Sequence, residues 1–521
     1  MKELIYPVKT VYQTDGVVNT DALYIRSYPQ IDLAEKHLCV IPTGGALILD
    51  YGMEYAGGIR ILAHGGSNKV RIRVGESVAE ACADLTEKGA CNDHSLRDIT
   101  VEIPSYSDNE YFNSGFRFIR IDNLGDKPLS IKKVLLVFKG ADLTEKGGFI
   151  CDDERINSIF STAVRTLYLN AQNGVLYDGI KRDRLVWVGD LHPEFLAFLG
   201  LYDDYGYLRN CLEFIIEQTP LPAWMNGFPT YTQWFLVIVS DYITHSGDLE
   251  FLDKHKDYLY GTAKQVTDCI NKDGKLNIGF LFLDWPSSVF PDKGESGIAG
   301  LIKKALESAR SVLAPLGYDF TETDRKLKLL EKYYDKPCEY KQGAGIRAYA
   351  GLNQSADVMV KDGAKGFSTF MSYYLLSAVA KEYGSKTATD IMKEYYGGML
   401  DLGATTFFED FNIDWLKNAG RIDQMPSSDK VDVHGEYGDF CYKGYRHSLC
   451  HGWSSGVIQY LQRVVAGITV LDVGCKKISV RPDAGGLKWF KAKFPTPYGV
   501  VQVDYSDGKT SVTVPDGVEL V

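Results

Sequence analysis

The sequence predicts a multidomain protein in which a large helical domain lies between two antiparallel β-sheet domains. A chain of 521 residues, 45% of them hydrophobic, can bury more than one core. The spacing of apolar residues also changes along the chain, from alternation to a helical period and back. These observations give residues 1–150 as an N-terminal β-sandwich, 151–468 as the helical domain and 469–521 as a C-terminal β-sandwich.

Alternating apolar and polar residues fill the first 139 positions, and clusters of Gly, Asn and Asp separate the alternating stretches. This pattern is typical of strands that bury one face. The stretches are ALILDYG, GIRILAH, KVRIRVG, DITVEIP, FRFIRID and IKKVLLVF. Because turns separate consecutive strands, we expect an antiparallel sandwich. Alternation returns after about residue 469, in KKISVRP, LKWFKAKFP, GVVQVDYS and TSVTVP.

The middle of the chain has apolar residues at three- and four-residue spacing, which is the period of an amphipathic helix. Its clearest segments are ERINSIFSTAVRTLYLNAQNG, PEFLAFLGLYDDYGYLRNCLEFIIEQ, KHKDYLYGTAKQVTDCINK, AGLIKKALESARSVLAPLG and TETDRKLKLLEKYYDK. Ten or more such segments, joined by Gly-rich turns, predict paired antiparallel helices.

The formal net charge of −11 excludes several classes of partner. A chain of this charge repels phosphate backbones and anionic lipids, so we expect neither nucleic acid nor membrane partners. The start lacks an apolar leader and no apolar run is long enough to span a bilayer, which predicts a cytoplasmic protein. Whether the chain forms a homo-oligomer is left open.

The ten cysteines include no CxxC pair, and Cys211 and Cys269 lie within apolar helical patterns. This distribution is typical of buried, reduced thiols. The sequence shows neither metal-ligand spacing nor a nucleotide-binding motif. We therefore expect no metal and no cofactor.

The densest charged stretch, YDGIKRDRLVWVGDLHPE, lies between two predicted helices. In it, Asp178, Asp183 and Asp190 surround Arg182 and Trp187. Loops on a rigid scaffold often carry catalytic groups. Carboxylates beside a tryptophan offer acceptors for sugar hydroxyls and an apolar face for a pyranose ring. The alternative is a structural loop, because flanking arginines lower the pKa of a carboxyl and favour salt bridges.

A second candidate is Glu409, which lies in the aromatic stretch GATTFFEDFNIDW. Burial of a glutamate among aromatic rings costs free energy unless the group is paired or functional. Glycosidic cleavage needs one carboxylic acid to protonate the leaving oxygen and one carboxylate to activate water or attack the anomeric carbon. Asp183 and Glu409 are a candidate pair. A helix N-terminal position after Thr405 and Thr406 is the alternative explanation for Glu409.

Further candidates lie elsewhere in the helical domain. The GWSSG stretch at residues 452–456 fits the nucleophile-elbow pattern of serine esterases, but a polar stretch precedes it and no histidine follows His451. His451 is instead a polar contact near a pocket, or a structural histidine. Asp284 with Trp285 after a DG turn, and Trp234, are candidate sugar contacts, although core packing explains Trp234 nearly as well.

Together these residues resemble glycoside hydrolase family 78, the α-L-rhamnosidases. The family motif D-x-x-x-R-E-R-L-x-W-x-G-D corresponds to DGIKRDRLVWVGD at residues 178–190, and its G-A-T-T-x-x-E motif to GATTFFE at 403–409. His451 in SLCHGWSSG matches a sugar-contacting histidine. Similarity extends to GFRFIRI at residues 115–121 and TPYGVVQVDY at 496–505.

The resemblance implies an (α/α)6 barrel for the helical domain and a reaction that inverts the anomeric configuration. It assigns the general acid to Asp183 and the general base to Glu409. The pocket residues that it implies for the terminal deoxysugar are Asp178, Trp187, Asp190 and His451, and Arg182 lies within the same motif.

Asp183 departs from the family motif, which has glutamate at the general-acid position. Aspartate is one methylene shorter, and a misplacement of about 1 Å can cost on the order of a hundredfold in rate. Asp183 must also hold a proton, so Asp190 or desolvation has to outweigh the flanking arginines. We expect an inverting hydrolase of terminal α-L-rhamnose. The alternatives are a hydrolase of another deoxysugar or a uronic acid, and a catalytically weakened carbohydrate-binding homologue.

Overall fold

The N-terminal region is an eight-stranded antiparallel sheet in a computed structural model that describes residues 2–64, 68–288, 291–440 and 442–521. Its strands are β1 (Lys2–Ile5), β2 (Lys9–Gln13), β3 (Cys39–Ile41), β4 (Ala46–Ala63), β5 (Asn68–Gly75), β6 (Asp98–Ile103), β7 (Asp108–Asn123) and β8 (Leu129–Lys139). The strand order is β1-β8-β4-β7-β5-β6, with β2 on β4 and β3 on β8. A short helix, α1 (Val78–Cys82), follows β5.

The strands confirm the alternating pattern with one difference. The stretches ALILDYG and GIRILAH, which the sequence predicts as two strands, both lie in β4. The register of β4 against β7 shifts between Asp50 and Tyr55, as at a β-bulge. A bulge bends a strand without ending it, which explains why a local sequence break does not separate two strands here. The division of this region into two facing sheets stays a prediction.

The middle of the chain is helical, as the apolar period predicts. The longer helices are α2 (Glu154–Asn170), α3 (Leu191–Leu201), α4 (Gly206–Gln218), α5 (Pro229–Ser246), α6 (Leu249–Asp268), α8 (Pro291–Leu313), α9 (Thr321–Tyr333), α10 (Lys341–Tyr349), α12 (Ser372–Tyr383) and α13 (Ser385–Asp401). Shorter ones are α7 (Trp285–Ser288), α11 (Asp357–Val360), α14 (Val433–Glu436) and α15 (Val457–Gln459), and π-helical Tyr460–Val465 continues α15. None of the described helices has the length and apolarity needed to cross a membrane.

Helix contacts in this region close into a ring. In ring order the packed helices are α2, α3, α5, α8, α10, α12 and α13, and α13 packs on α2 again. Between α2 and α3 the chain forms a small hairpin of β10 (Ala171–Gln172) and β11 (Val175–Leu176). The loops that connect the helices lie at the ends of the ring. The loop from β11 to α3 is one of these loops.

The C-terminal region contains two small sheets. Its strands are β12 (Ile468–Val470), β13 (Lys477–Val480), β14 (Trp489–Thr496), β15 (Gly499–Ser506), β16 (Lys509–Thr513) and β17 (Glu519–Leu520). One sheet has the order β12-β13-β17, in which β17 runs parallel to β13. The other has the order β16-β15-β14-β9, and β9 (Gly148–Cys151) comes from the segment before α2. This second sheet therefore joins a strand that precedes the helical region to strands that follow it.

Two residues of β7 contact the helical region and connect the N-terminal sheet to it. Gly115 packs against Ile180, and a Cβ at this position would lie 2.5 Å from the Ile180 Cγ1. Arg117 donates to both carboxylate oxygens of Asp50, at 2.8 and 2.9 Å, and to the carbonyl oxygen of Gly403 at 3.1 Å. The GFRFIRI stretch is therefore a domain contact.

We expect Arg117→Met to destabilise the protein by about 3–5 kcal/mol, because it removes the bidentate partner of the buried Asp50 carboxylate. Urea unfolding followed by circular dichroism would measure the loss. The matched control is Arg325→Met, which removes a surface pair with Glu322 whose side chains are 55% and 60% exposed. Because solvent screens this pair, the control should leave stability nearly unchanged. Equal losses in the two variants would contradict a contribution of this buried pair to stability.

Candidate active site

The loop from β11 to α3 contains a strained turn. Asp183 and Arg184 have φ values of 53° and 57°, in the left-handed region, which costs a non-glycine residue about 1–2 kcal/mol. The Arg184 N–H donates to the Arg182 carbonyl at 2.7 Å. At the base of the turn, the Leu185 N–H donates to Oδ1 of Asp178 at 2.9 Å. Such strain persists where surrounding contacts fix it, commonly at functional sites.

Two other segments lie beside this loop, one after α13 and one before α15. The Glu409 N–H donates to the Ser448 carbonyl at 3.0 Å, which joins these two segments. The Gly452 N–H donates to the Asp178 carbonyl at 2.8 Å, which joins the second segment to the loop. Residues far apart in sequence are in this way brought into one site.

The guanidinium of Arg182 contacts two predicted catalytic residues at once. Its Nη1 lies 3.2 Å from Oδ2 of Asp183, and its Nη2 donates to Oε1 of Glu409. Its Nε donates to the Arg446 carbonyl at 3.1 Å, which fixes the plane of the group. Glu409 is buried, and its Oε2 accepts a hydrogen bond from the Ser448 N–H at 3.2 Å. The Arg182 guanidinium therefore contacts the side chains of Asp183 and Glu409 through two different nitrogen atoms.

A buried imidazole lies at the centre of three more contacts. Nε2 of His451 is 3.7 Å from Oε1 of Glu409 and 4.0 Å from a carboxylate oxygen of both Asp178 and Asp190. Burial lowers the pKa of His451 well below its usual value, so the ring is neutral. The ring packs against Trp453, with centroids 4.1 Å apart.

Burial also changes the acidity of the carboxyls around this imidazole. It raises the pKa of Asp178 well above the ordinary value, and it raises the pKa of Asp190 to about 8, although the Tyr231 hydroxyl donates to Asp190 at 2.7 Å. It raises the pKa of Glu409 as well, while Arg182 opposes the shift. Carboxyl groups with different protonation states are what acid and base chemistry in one site requires.

A cavity opens beside these groups. Four predicted site residues line it: Asp190, Asp284, Trp285 and Glu409. Its aromatic walls are Tyr231, Phe282, Phe370, Tyr442 and Trp453. The cavity therefore combines carboxyl groups with apolar ring faces.

Trp187 and Trp234 have different environments. The Trp187 ring stands edge-on to Tyr231 with centroids 6.2 Å apart, and its buried Nε1 has no hydrogen-bond partner within the described part of the chain. Trp234 is not brought to the cavity. It is 1% exposed, and its ring stacks on His192 and Tyr374 in the helical core. Trp234 lies nearly one turn farther along α5 than Tyr231, which explains why only Tyr231 reaches the cavity.

Nine of the thirteen described residues that line the cavity were not selected as site residues from the sequence, among them Asp410, Tyr231 and Tyr442. Asp410 lines the cavity next to Glu409, and burial with the nearby Glu409 charge raises its pKa to about 7. Its place directly after Glu409 was a usable signal. Tyr231 and Tyr442 carry no local signal, because 33 tyrosines are spread over the chain.

Ser454 of the GWSSG stretch is buried, and its Oγ donates to the Phe408 carbonyl at 2.6 Å. This environment is unlike the exposed serine of a nucleophile elbow. The esterase alternative therefore has no support at this position.

A group that could ligate a metal lies beside the candidate active site. Donor atoms of Glu76, Glu80 and His434 come within 4.8 Å of one another. The Lys181 ammonium, however, lies 3.3 Å from Glu76 and 2.9 Å from Glu80. Both His434 ring nitrogens also have partners, in the Ser77 hydroxyl and the His447 carbonyl. The lysine supplies the positive charge that a cation would bring.

Two family models match parts of this chain. Residues 144–304 match the family model of the bacterial α-L-rhamnosidase six-hairpin glycosidase domain, and residues 467–521 match that of the bacterial α-L-rhamnosidase C-terminal domain. The chain therefore carries a domain of the glycoside hydrolase class. A search of curated proteins gave no match.

Solved structures extend the similarity to nearly the whole chain. A GH78 rhamnosidase of Bacillus sp. GL1 is 17% identical with a TM-score of 0.71, and the alignment covers 96% of this chain and 56% of that one. A Klebsiella oxytoca rhamnosidase with rhamnose bound is 16% identical with a TM-score of 0.66, covering 89% and 96%. The fold is that of the α-L-rhamnosidases. This chain thus spans little more than half of the Bacillus rhamnosidase.

The match to the six-hairpin glycosidase domain includes the loop from β11 to α3 but ends before Glu409 and His451. The contact of Arg182 with Glu409 therefore connects the matched part of the helical region to a part that the family model does not cover. The catalytic assignments of Asp183 and Glu409 stay predictions.

We expect Gly189→Ala to destabilise the protein, because the new Cβ would lie 2.1 Å from the ring of Tyr231. Overpacking of this kind costs about 1–3 kcal/mol. Thermal unfolding would measure it, together with substrate binding, because the Tyr231 hydroxyl is the donor to Asp190. Gly148→Ala is the control, since a methyl group there would have no neighbouring atom within 4 Å. Similar effects of the two substitutions would contradict this packing.

Asp190→Asn should make stability less dependent on pH. Between the ordinary pKa of 3.8 and about 8, the unfolded chain has lost this proton while the folded chain keeps it, so stability falls as pH rises through that window. The variant should therefore gain on the order of a few kcal/mol at pH 8 and nothing near pH 3. Urea unfolding across this range, with the exposed Asp516→Asn as control, would test it. Parallel pH profiles for wild type and variant would contradict it.

Proposed function

We propose that the protein is an inverting glycoside hydrolase that removes a terminal α-L-rhamnose from oligosaccharides or other glycosides. The observation that carries this proposal is the shared contact of Asp183 and Glu409 with one guanidinium beside a cavity lined by carboxyls and aromatic rings. The matches to rhamnosidase domains and structures support it. We also propose that the helical ring is the (α/α)6 barrel implied by the family resemblance.

In the proposed reaction, Asp183 protonates the glycosidic oxygen and Glu409 removes a proton from the attacking water. Arg182 and the Ser448 N–H both favour the charged form of Glu409, which a base needs. The water attacks C1 on the face opposite the leaving group, so the product has the inverted configuration. Removal of a general acid or base typically lowers the rate by about 10²–10⁴-fold.

The cavity chemistry favours a neutral deoxysugar. Hydroxyl groups of rhamnose can donate to Asp190 and Asp284, which line the cavity, and a neutral Asp190 can also donate. The methyl group of a 6-deoxysugar suits the aromatic walls, which include Trp285. A uronic acid would bring a further negative charge beside these carboxyls, which costs free energy in a buried site. Rhamnose and similar deoxysugars therefore fit this cavity better than uronic acids.

Glu409→Gln should lower kcat for an aryl α-L-rhamnoside by at least about a hundredfold with little change in KM, because it removes the base but keeps the shape of the side chain. Proton NMR of the fresh product of the wild-type enzyme should show β-L-rhamnose first. The matched control is Glu250→Gln, at a surface position that is 82% exposed, which should leave turnover unchanged.

Three results would contradict the proposal in different ways. Initial release of α-L-rhamnose would indicate retention. Turnover of uronides or other deoxysugars without turnover of rhamnosides would change the substrate class. Calorimetric binding of rhamnose without hydrolysis, even after Asp183→Glu, would indicate a carbohydrate-binding homologue.

A further inference from the structure

The loop between α1 and β6 of the N-terminal sheet region reaches the carboxyl group of Asp183. His94 in this loop has a φ of 62°, and its Nε2 lies 3.1 Å from Oδ1 of Asp183. Asp183 contacts Arg182 through its other oxygen, at 3.2 Å. The His94 side chain is 33% exposed and that of Asp183 is 17% exposed, so both groups are accessible to solvent.

Besides Asp183, the charged side chains of Asp93 and Arg446 lie close to the His94 imidazole. Oδ2 of Asp93, in the same loop, is 3.4 Å from Nε2, and Nη2 of Arg446 is 3.2 Å from it. Arg446 directs both its Nε, at 3.0 Å, and its Nη2, at 2.9 Å, to Oδ2 of Asp93. The guanidinium donates to Asp93, and it can also donate to Nε2 of His94 when that nitrogen carries no proton. Of the two carboxylates, Asp183 is the nearer one for a proton on Nε2.

Asp183 has two deficits as a general acid, and His94 lies where it can correct both. A general acid has to hold a proton, and the Asp183 carboxyl lies beside the Arg182 guanidinium. The short aspartate side chain also needs accurate placement, because small displacements are costly in rate. Imidazole is the side chain that changes protonation between pH 5 and 8, and a contact at 3.1 Å restricts the rotation of the carboxyl.

We propose that His94 is a positioning residue for the general acid: it holds the Asp183 carboxyl in place, and the two side chains share one acidic proton. The acid of this site is then an Asp–His pair whose members come from two domains. This inference rests on the proposed glycosidase function and adds to it a residue outside the helical domain.

The proposed step balances with water as the only co-reactant. The shared proton moves from Asp183 to the glycosidic oxygen while the bond from C1 to that oxygen breaks. The oxygen of water forms the new bond to C1, and Glu409 accepts a proton from that water. Glu409 then releases its proton to solvent, and the pair of Asp183 and His94 takes one up.

The experiment compares two substrates that differ in their need for an acid, phenyl α-L-rhamnoside and 2,4-dinitrophenyl α-L-rhamnoside. Dinitrophenolate leaves without protonation, whereas phenolate does not. His94→Ala should lower kcat/KM for the phenyl substrate by about 10- to 100-fold, and for the dinitrophenyl substrate by less than about threefold. The alkaline limb of the pH profile should move to lower pH, because the carboxyl beside Arg182 then holds its proton alone.

Two further variants separate the proton from the placement. His94→Gln supplies an N–H donor that does not titrate, so it should recover part of the phenyl turnover while its alkaline limb stays with that of His94→Ala. His37→Ala, at an exposed N-terminal position paired with Asp21, is the control and should change neither substrate. Thermal unfolding of each variant shows whether it is folded at the assay temperature.

The possible failures are distinguishable. Equal losses on both substrates, or an unchanged alkaline limb in both His94 variants, would overturn the pair, because a structural residue affects the two leaving groups alike. Unchanged turnover of the phenyl substrate after His94→Ala would overturn it as well. If the wild-type protein hydrolyses neither rhamnoside, the proposed function itself fails.

Discussion

The buried guanidinium of Arg182 is the interaction on which the candidate active site depends. Carboxyl groups are costly to bury, and Asp178, Asp190 and Glu409 are all buried within reach of one imidazole. Arg182 supplies positive charge to Asp183 and Glu409 directly. Without it, the buried Glu409 carboxylate would lose its cationic partner, and the loop that carries Asp183 would lose its link to the segment that carries Glu409.

The buried carboxyl groups lower the stability of the folded state, and the rest of the fold must compensate for this loss. Burial raises the pKa of Asp178, Asp190 and Asp410, so each keeps its proton in the folded state at a pH where the unfolded chain has lost it. Packing also requires a glycine at position 452, because Oε1 of Glu194 lies where a Cβ would be. Strain and unfavourable burial are typical of sites selected for activity rather than stability.

Local patterns predicted the elements of the fold, whereas pairing over long distances was not readable from them. The helical period gave α2 and α6, and alternation gave β5 to β8, because both depend on neighbouring residues. The four-residue strand β9 pairs with β14 from the other end of the chain, and no local signal indicates that partner. The family motifs selected Asp178, Asp183, Asp190 and Glu409 for the same reason, as short local patterns. His94 was not selected because its loop lies far from these motifs in the sequence, and Trp234 was included because a tryptophan in a helix gives no indication of its depth.

The N-terminal sheet contacts the loops of the candidate active site, and these contacts limit how this protein can be divided. Gly115 lies under Ile180, Arg117 binds the carbonyl of Gly403, and the Lys181 ammonium is enclosed by Glu76 and Glu80. The sheet thus packs directly against the loop that carries Asp183. A fragment cut to the helical region would expose these polar groups and lose their contacts. In evolution or in engineering, the two parts have to be exchanged as one unit.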